Sequence, residues 1–238
     1  MFDNLLFIKW LFSPKSSGFP AILQQELYEA ASHSMKEEVK KMEVRIATQA
    51  DMSNVYKLTY QSYLKEHYCQ ENDTKELIHY PHLDNIEETT VIIVDEDGQI
   101  IGTNTVTLDG PNKLHTDEDF SEETERVRQE CLEKNKKLGC SWRIVTNSDN
   151  RNNKAVICLL FNKTVEIMVD KAIDICLFTF NPKHSSFYHK IFGLEPVTTN
   201  VCKSVSAPGV LMIGEVNTIR KNWAKISKRW GIPFKYNN

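Results

Sequence analysis

Hydrophobic and polar positions repeat at two periods along this chain, and the switches between them outline its elements. An apolar cluster from Leu5 to Phe12 and a turn-rich Ser13-Pro14-Lys15-Ser16-Ser17-Gly18 linker precede residues 21–41, which follow the spacing of a charged helix ending in Lys40-Lys41. From Met42 the period falls to two. Val44-Arg45-Ile46-Ala47 predicts a strand, and Thr48-Gln49-Ala50-Asp51 has the capping-box form that opens a helix. That helix carries Val55, Leu58 and Ser62 on one stripe, with Tyr56, Tyr60 and Tyr63 around it. A polar loop with His79, Tyr80, His82 and Asp84 leads to two strands, Thr90 to Val94 and Ile100 to Leu108, about Asp97-Gly98, a dipeptide suited to a tight hairpin. Residues 117–136 read as a helix with an acidic-to-basic solvated face, and Cys140 to Val145 returns to strand character.

The second half opens with a polar loop from Asn147 to Asn153, then a long helix from Lys154 to Lys171 that buries Ile157, Leu160, Phe161, Val165 and Met168. A strand from Ile175 to Phe180 meets the turn Asn181-Pro182. Beyond it Phe187, Tyr188, Ile191 and Phe192 recur at helical spacing, and Gly193 supplies a left-handed stop. A strand from Val210 to Val216 completes the pattern. These elements predict an α/β (α+β) fold, a central sheet flanked by helices. The expected organisation is an N-terminal helical extension over 1–41, a body over 42–216 and a basic C-terminal helix or tail over 217–238.

At 238 residues the chain can bury the core of one domain, and a net charge of -3 with 41% hydrophobic residues gives no basic bias toward nucleic acid. The cysteines, Cys69, Cys131, Cys140, Cys158, Cys176 and Cys202, form no Cys-x-x-Cys pair and no zinc-spaced cluster, so no metal site is expected. Cys140, Cys158 and Cys176 sit in apolar stretches as small buried thiols, which suits a reducing cytoplasm. The first apolar cluster is interrupted by Lys9, is too short to span a bilayer and lacks a small-residue cleavage site. Phe2, Leu5, Leu6, Trp10 and Leu11 share one helical face, suited first to packing on the body, and otherwise to a homodimer contact or a membrane surface.

Five segments in order carry a family resemblance: Arg45-Ile46-Ala47-Thr48; Tyr63-Leu64-Lys65-Glu66-His67-Tyr68; the hairpin; Trp142-Arg143-Ile144-Val145; and Asn181-Pro182-Lys183-His184 with Phe187-Tyr188. Over residues 42–216 the chain resembles the N-acyl amino acid synthase (FeeM-like) family of the GCN5-related acyltransferase superfamily, kin to the acyl-homoserine lactone synthases. The resemblance implies a mixed, mostly antiparallel sheet with splayed central strands. It also implies transfer of a long fatty acyl group from acyl carrier protein to the amino group of an amino acid or small amine.

Several residues fall where that family has functional groups, and each also has an ordinary structural use. Tyr188 is the expected general acid, a phenol near the departing sulfur. Asp84 and Glu66 can order a lid or take a proton from the incoming ammonium, since amide formation needs a neutral amine. Arg143 can hold a substrate carboxylate or brace the sheet through an ion pair, with Trp142 beside it. Asn181 and His184 open the tyrosine helix, and His184 can cap it, orient Tyr188 or touch the pantetheine arm. Asn147, Arg151 and Lys154 stand in the loop where coenzyme A-dependent relatives place phosphate-cradling glycines. That loop has no glycine here, which leans toward a single phosphopantetheine phosphate on a carrier protein rather than acyl-CoA. No permanently bound cofactor is expected.

Arg220, Lys221, Lys225, Lys228 and Arg229 fit docking of an acidic carrier protein, or simply a solvated face. One departure stands out: Cys140 occupies the position, three residues before the strand arginine, where family members carry a glutamate. Two other readings follow. A small-acyl, CoA-dependent acetyltransferase would want the missing glycines, and a noncatalytic acyl-lipid or carrier-protein binding module would bind acyl carrier protein without turnover.

Overall fold

The computed structural model describes residues 33, 35, 37–147, 153–203, 205 and 207–236. The segments expected as an apolar N-terminal helix, its linker and most of the charged helix after it, together with Arg151, lie outside the described residues. No helix among the described residues is long and apolar enough to cross a membrane.

Local chemistry sets the first elements. Strand β1 (Glu43–Ile46) ends at Thr48, whose backbone N–H and hydroxyl both donate to the Asp51 carboxylate, closing the capping box that leads into α1 (Met52–Lys65). Strands β2 (Thr89–Glu96) and β3 (Gln99–Leu108) form the expected hairpin. Asp97 and Gly98 both adopt positive φ, 53° and 82°, the geometry that favours Asp-Gly there. The single helix expected over 117–136 is instead two, α2 (Thr116–Asp119) and α3 (Ser121–Glu133). Phe120 breaks them apart at φ -138° because its ring is drawn into the core.

Strand β4 (Leu138–Thr146), helix α4 (Asn153–Asp170) and strand β5 (Ile175–Phe180) follow as read. The turn is tightened by Asn181, whose side chain accepts from the Lys183 N–H, and α5 (Ser185–Phe192) stops at Gly193 with φ 73°. His184 stands at the start of α5 but its ring makes no capping bond; Asn181 does that for the preceding turn. A strand that the polarity pattern does not announce, β6 (Glu195–Cys202), lies at the sheet edge, mostly exposed. Strand β7 (Ala207–Glu215) and helix α6 (Val216–Trp230) complete the order.

The strands form one sheet in the order β1-β2-β3-β4-β5-β7-β6, antiparallel at every step except β4 with β5. Alternation divides the core. On β5, Cys176 and Phe178 join the cluster under α4, α5 and α6, while Leu177 joins Cys140, Trp142 and Leu211 on the opposite face. Helix α4 approaches β3 closely at Gly102, where a Cβ would stand 2.4 Å from Val156 Cγ1. The basic C-terminal helix is part of this packing: Trp223 and Trp230 are each 1% exposed.

Two irregularities open the middle of the sheet. The β4–β5 ladder runs from Leu138↔Ile175 to Ser141↔Phe178 and ends there, so the facing edges beyond are unpaired. On the other side of β4, Thr103 pairs with Val145 and Thr105 with Trp142, so Asn104 faces both Arg143 and Ile144. This is a β-bulge. Arg143 takes φ 58°, a left-handed conformation uncommon for a side chain of its size.

Candidate active site

A cavity of about 340 Å³ passes through this gap, between the divergent ends of β4 and β5. One side is apolar, walled by Phe161, Val165 and Met168 of α4 with Phe178, Phe192 and Leu194. The other is an aromatic, polar chamber of Tyr63, Glu66, His79, Tyr80, His115 and Trp142, with Arg143 at its back. The splayed strands join an apolar slot to a polar room.

Arg143 is held from behind. Its side chain is fully buried, and Nη2 donates to both oxygens of Asp84, at 2.8 and 2.9 Å. The Tyr56 hydroxyl donates to the same carboxylate at 3.2 Å, and burial with the nearby charge pushes Tyr56 up to about 12. The guanidinium lies 4.3 Å over the Trp142 ring, whose Nε1 donates to Thr107 Oγ1 at 3.0 Å. Arg143 Nε and Nη1 are buried without a hydrogen-bond partner, so two nitrogens of the guanidinium remain unmatched donors beside the Asp84-bound Nη2.

Tyr188 faces the apolar side. Its ring stacks on Phe180 at 3.6 Å and 11°, with Phe161, Phe187 and Phe192 around it. Burial raises its phenol well above the usual value, so it is a protonated O–H donor at neutral pH. Glu66, half-buried just after α1, is on the cavity wall. His184 and Asn181 reach the wall too, but the Asn181 amide is committed, donating to Tyr68 Oη at 2.9 Å while accepting from Lys183. Asp84 lines no part of the cavity and acts on it through Arg143.

The loop residues stand apart. The Asn147 N–H donates to the Ile101 carbonyl, extending the sheet, and Lys154 is half-buried in the first turn of α4, with burial lowering its pKa; neither lines the cavity.

The polar chamber also holds residues that sequence reasoning left in a loop. His79 stacks on Tyr80 at 4.1 Å and meets the Tyr63 ring at 5.4 Å, and Tyr80 in turn packs 5.5 Å from His115. His115 Nδ1 is 3.2 Å from Cys140 Sγ. This resembles a nucleophilic cysteine–histidine pair, yet burial drives the Cys140 thiol pKa up and its side chain does not reach the cavity. It is an inert partner for the ring. Asn104 is another wall residue that sequence reasoning missed: its amide donates to Ser141 Oγ and Thr164 Oγ1, at 3.0 and 2.6 Å, bridging β3, β4 and α4 behind the bulge.

Burial lowers His79 to about 4, aided by the Arg143 charge, and His115 to about 3. In the unfolded chain both titrate near 6.5. Between about pH 6.5 and 4 the unfolded state therefore binds protons that the folded state refuses, and folding stability falls as pH falls. Each buried imidazole contributes a slope of about 1.4 kcal/mol per pH unit across that window. Urea midpoints measured from pH 7.5 to 4.5 are expected to show this loss, and His115→Asn to flatten it; an unchanged slope would show that the ring does not titrate in this way.

Three comparisons bear on the chain. A family model described as N-acyl amino acid synthase FeeM matches residues 54–215. No curated protein matches. Among solved structures, that of FeeM, an N-acyl amino acid synthase from uncultured soil microbes, is 18% identical, covers 76% of this chain and 93% of its own, and superposes with a TM-score of 0.64. BjaI, a CoA-dependent acyl-homoserine lactone synthase, gives 14% identity, 78% and 84% coverage and a TM-score of 0.55. The acyl-homoserine lactone synthase LasI gives 16%, 74%, 90% and 0.51. At these identities the structural likenesses establish the acyltransferase fold.

Proposed function

The chain belongs to the N-acyl amino acid synthase FeeM family and is an N-acyltransferase of that type, and we propose that it moves a long-chain acyl group from acyl carrier protein to the amino group of an amino acid. The observation that carries this reading is the two-sided cavity through the splayed β4–β5 gap. Its apolar side suits an alkyl chain, and its polar side offers the unmatched Arg143 donors to a carboxylate.

In this reading the thioester lies in the gap, with its alkyl chain among Phe161, Val165 and Met168. The acceptor enters the aromatic chamber with its carboxylate on an unmatched Arg143 donor, Nε or Nη1, which orients it. Attack on the carbonyl forms the C–N bond, and collapse breaks the C–S bond. Tyr188, kept protonated by burial, donates to the departing sulfur. Glu66 on the wall is a carboxylate available to order the incoming ammonium.

A carrier-protein donor is supported by α6, whose exposed Lys221, Lys225 and Lys228 have no acidic neighbour within the helix. The catalytic body in this reading is residues 42–216, with α6 packed on it as the docking helix and the segment before Met42 as an extension.

The test is product mass spectrometry on purified protein, with acetyl, octanoyl and myristoyl donors as carrier-protein or CoA thioesters and a panel of amino acids. N-Acyl amino acids formed fastest from the long-chain carrier thioester, with a rate that falls as salt rises, are expected. Faster turnover of acetyl-CoA would replace the reading with a small-acyl transferase.

A further inference from the structure

Amide formation from an amino acid leaves a proton to be placed before bond formation. The acceptor arrives as an ammonium ion, its nitrogen attacks only with a free lone pair, and the chamber must hold something that takes the proton. The side chain at the family's glutamate position, Cys140, is a buried thiol off the cavity wall and turned to His115.

His79 is placed differently. Both of its ring nitrogens are buried, and neither has a hydrogen-bond partner. A neutral imidazole carries one donor and one acceptor, and interiors seldom leave either unmatched, still less both on one ring. The ring is not loose: Tyr80 stacks on one face and Tyr63 meets it edge-on. It lines the cavity on the same side as Arg143, close enough for that charge to act on it. A side chain fixed by its faces and unsatisfied at its polar edge, on the wall of a substrate cavity, is built to meet a ligand. His115 Nε2 is likewise unpartnered, but its other nitrogen is already engaged with Cys140 Sγ, which makes it the wall of the chamber rather than its most open group.

From this geometry we infer that His79 is the group that accepts the proton from the acceptor's ammonium and hands the neutral amine to the thioester. The inference rests on the acyl-transfer reading above. The unprotonated ring nitrogen takes one proton, giving an imidazolium and a free amine. The amine lone pair forms the C–N bond at the thioester carbonyl. The C–S bond breaks, its electron pair leaves on sulfur, and the proton that sulfur takes from Tyr188 is replaced on the phenol by the second proton lost from nitrogen. The imidazolium then returns its proton to solvent, so the products are the amide, the thiol and one proton.

The surroundings couple this step to substrate choice. The ionisable groups lining the cavity with His79 are Tyr63, Lys65, Glu66, Tyr68, Tyr80, His115, Arg143, His184, Tyr188 and Cys202, with Arg143 countered by Asp84. Burial first, and the Arg143 charge second, disfavour the imidazolium. An acceptor carboxylate seated on Arg143 adds a negative charge and offsets the second of these, so carboxylate-bearing amines make their own base stronger.

His79→Gln tests this, since glutamine keeps polar size but cannot take the proton. With an amino acid acceptor at pH 7, kcat is expected to fall about 10²-fold or more. The loss should shrink as pH rises toward the acceptor's own ammonium pKa, where free amine becomes abundant. With hydroxylamine, already unprotonated at neutral pH, the variant should match wild type, which a merely structural role for the ring would not produce. Equal amino acid rates in variant and wild type across pH, or equal losses with both acceptors, would overturn the inference. A wild-type protein that acylates neither acceptor would instead remove the acyl-transfer reading itself.

Discussion

Replacing Asp84 with alanine is expected to destabilise the fold by about 3–5 kcal/mol and to abolish acyl transfer. The side chains of Asp84 and Arg143 are 2% and 0% exposed, so neither charge can turn to water when its partner is removed. Asp84→Ala leaves a buried guanidinium with no counterion, in a residue already held in the left-handed region at the β4 bulge. The bulge, the guanidinium and the Tyr56 hydroxyl would lose their anchor together. A second variant separates folding from chemistry. Asp84→Leu combined with Arg143→Met removes both charges and fills the space with apolar atoms, an exchange often neutral or stabilising for buried pairs. It should recover much of the stability in urea denaturation while remaining inactive toward amino acids. A double variant as active as wild type would show that Arg143 braces the sheet and holds no substrate; a fall of less than 1 kcal/mol in the alanine variant would mean that the pair is not desolvated as the geometry requires.

What could be read from the chain was carried by short-range chemistry. Asp97-Gly98 can turn a hairpin because both residues accept positive φ, Thr48 and Asp51 satisfy each other across three residues, and Asn181-Pro182 with Gly193 bounds the tyrosine helix at both ends. Strand β6 escaped because an edge strand with Pro196, Thr198, Thr199 and Asn200 is largely solvated and has no apolar face to show. The break at Phe120 was hidden inside a charge pattern that continues on both sides of it. The site divided along the same line. Tyr188 sits in a motif, whereas the Asp84–Arg143 pair joins residues 59 apart, and His79, His115 and Cys140 meet only after three separate segments fold together. One signal was available: an arginine in an otherwise apolar strand requires a buried counterion, and Asp84 in a nearby loop was a candidate for it. For the histidines no comparable signal exists, because a polar loop containing His79 and Tyr80 looks the same whether it faces water or a cavity.

Tyr188→Phe is expected to lower kcat by about 10²- to 10³-fold while leaving the fold intact and the KM for the acyl thioester unchanged. The ring's packing explains why binding and stability should survive. Its faces are held by Phe180, Phe161 and Phe192, and phenylalanine keeps all of those contacts. What is lost is one O–H, whose proton burial keeps in place well above neutral pH, so the wild-type rate should show no alkaline decline from this group until strongly basic conditions. The leaving group supplies the decisive comparison. An alkyl thiolate departing from a phosphopantetheine thioester is a poor leaving group that gains from a donor as C–S breaks. An aryl thiolate carries its own charge well and gains little. Rates of Tyr188→Phe relative to wild type should therefore be low with the alkyl thioester and close to one with an aryl thioester of the same acyl chain. Equal ratios for both would mean that Tyr188 positions the thioester through its ring and takes no part in releasing the sulfur.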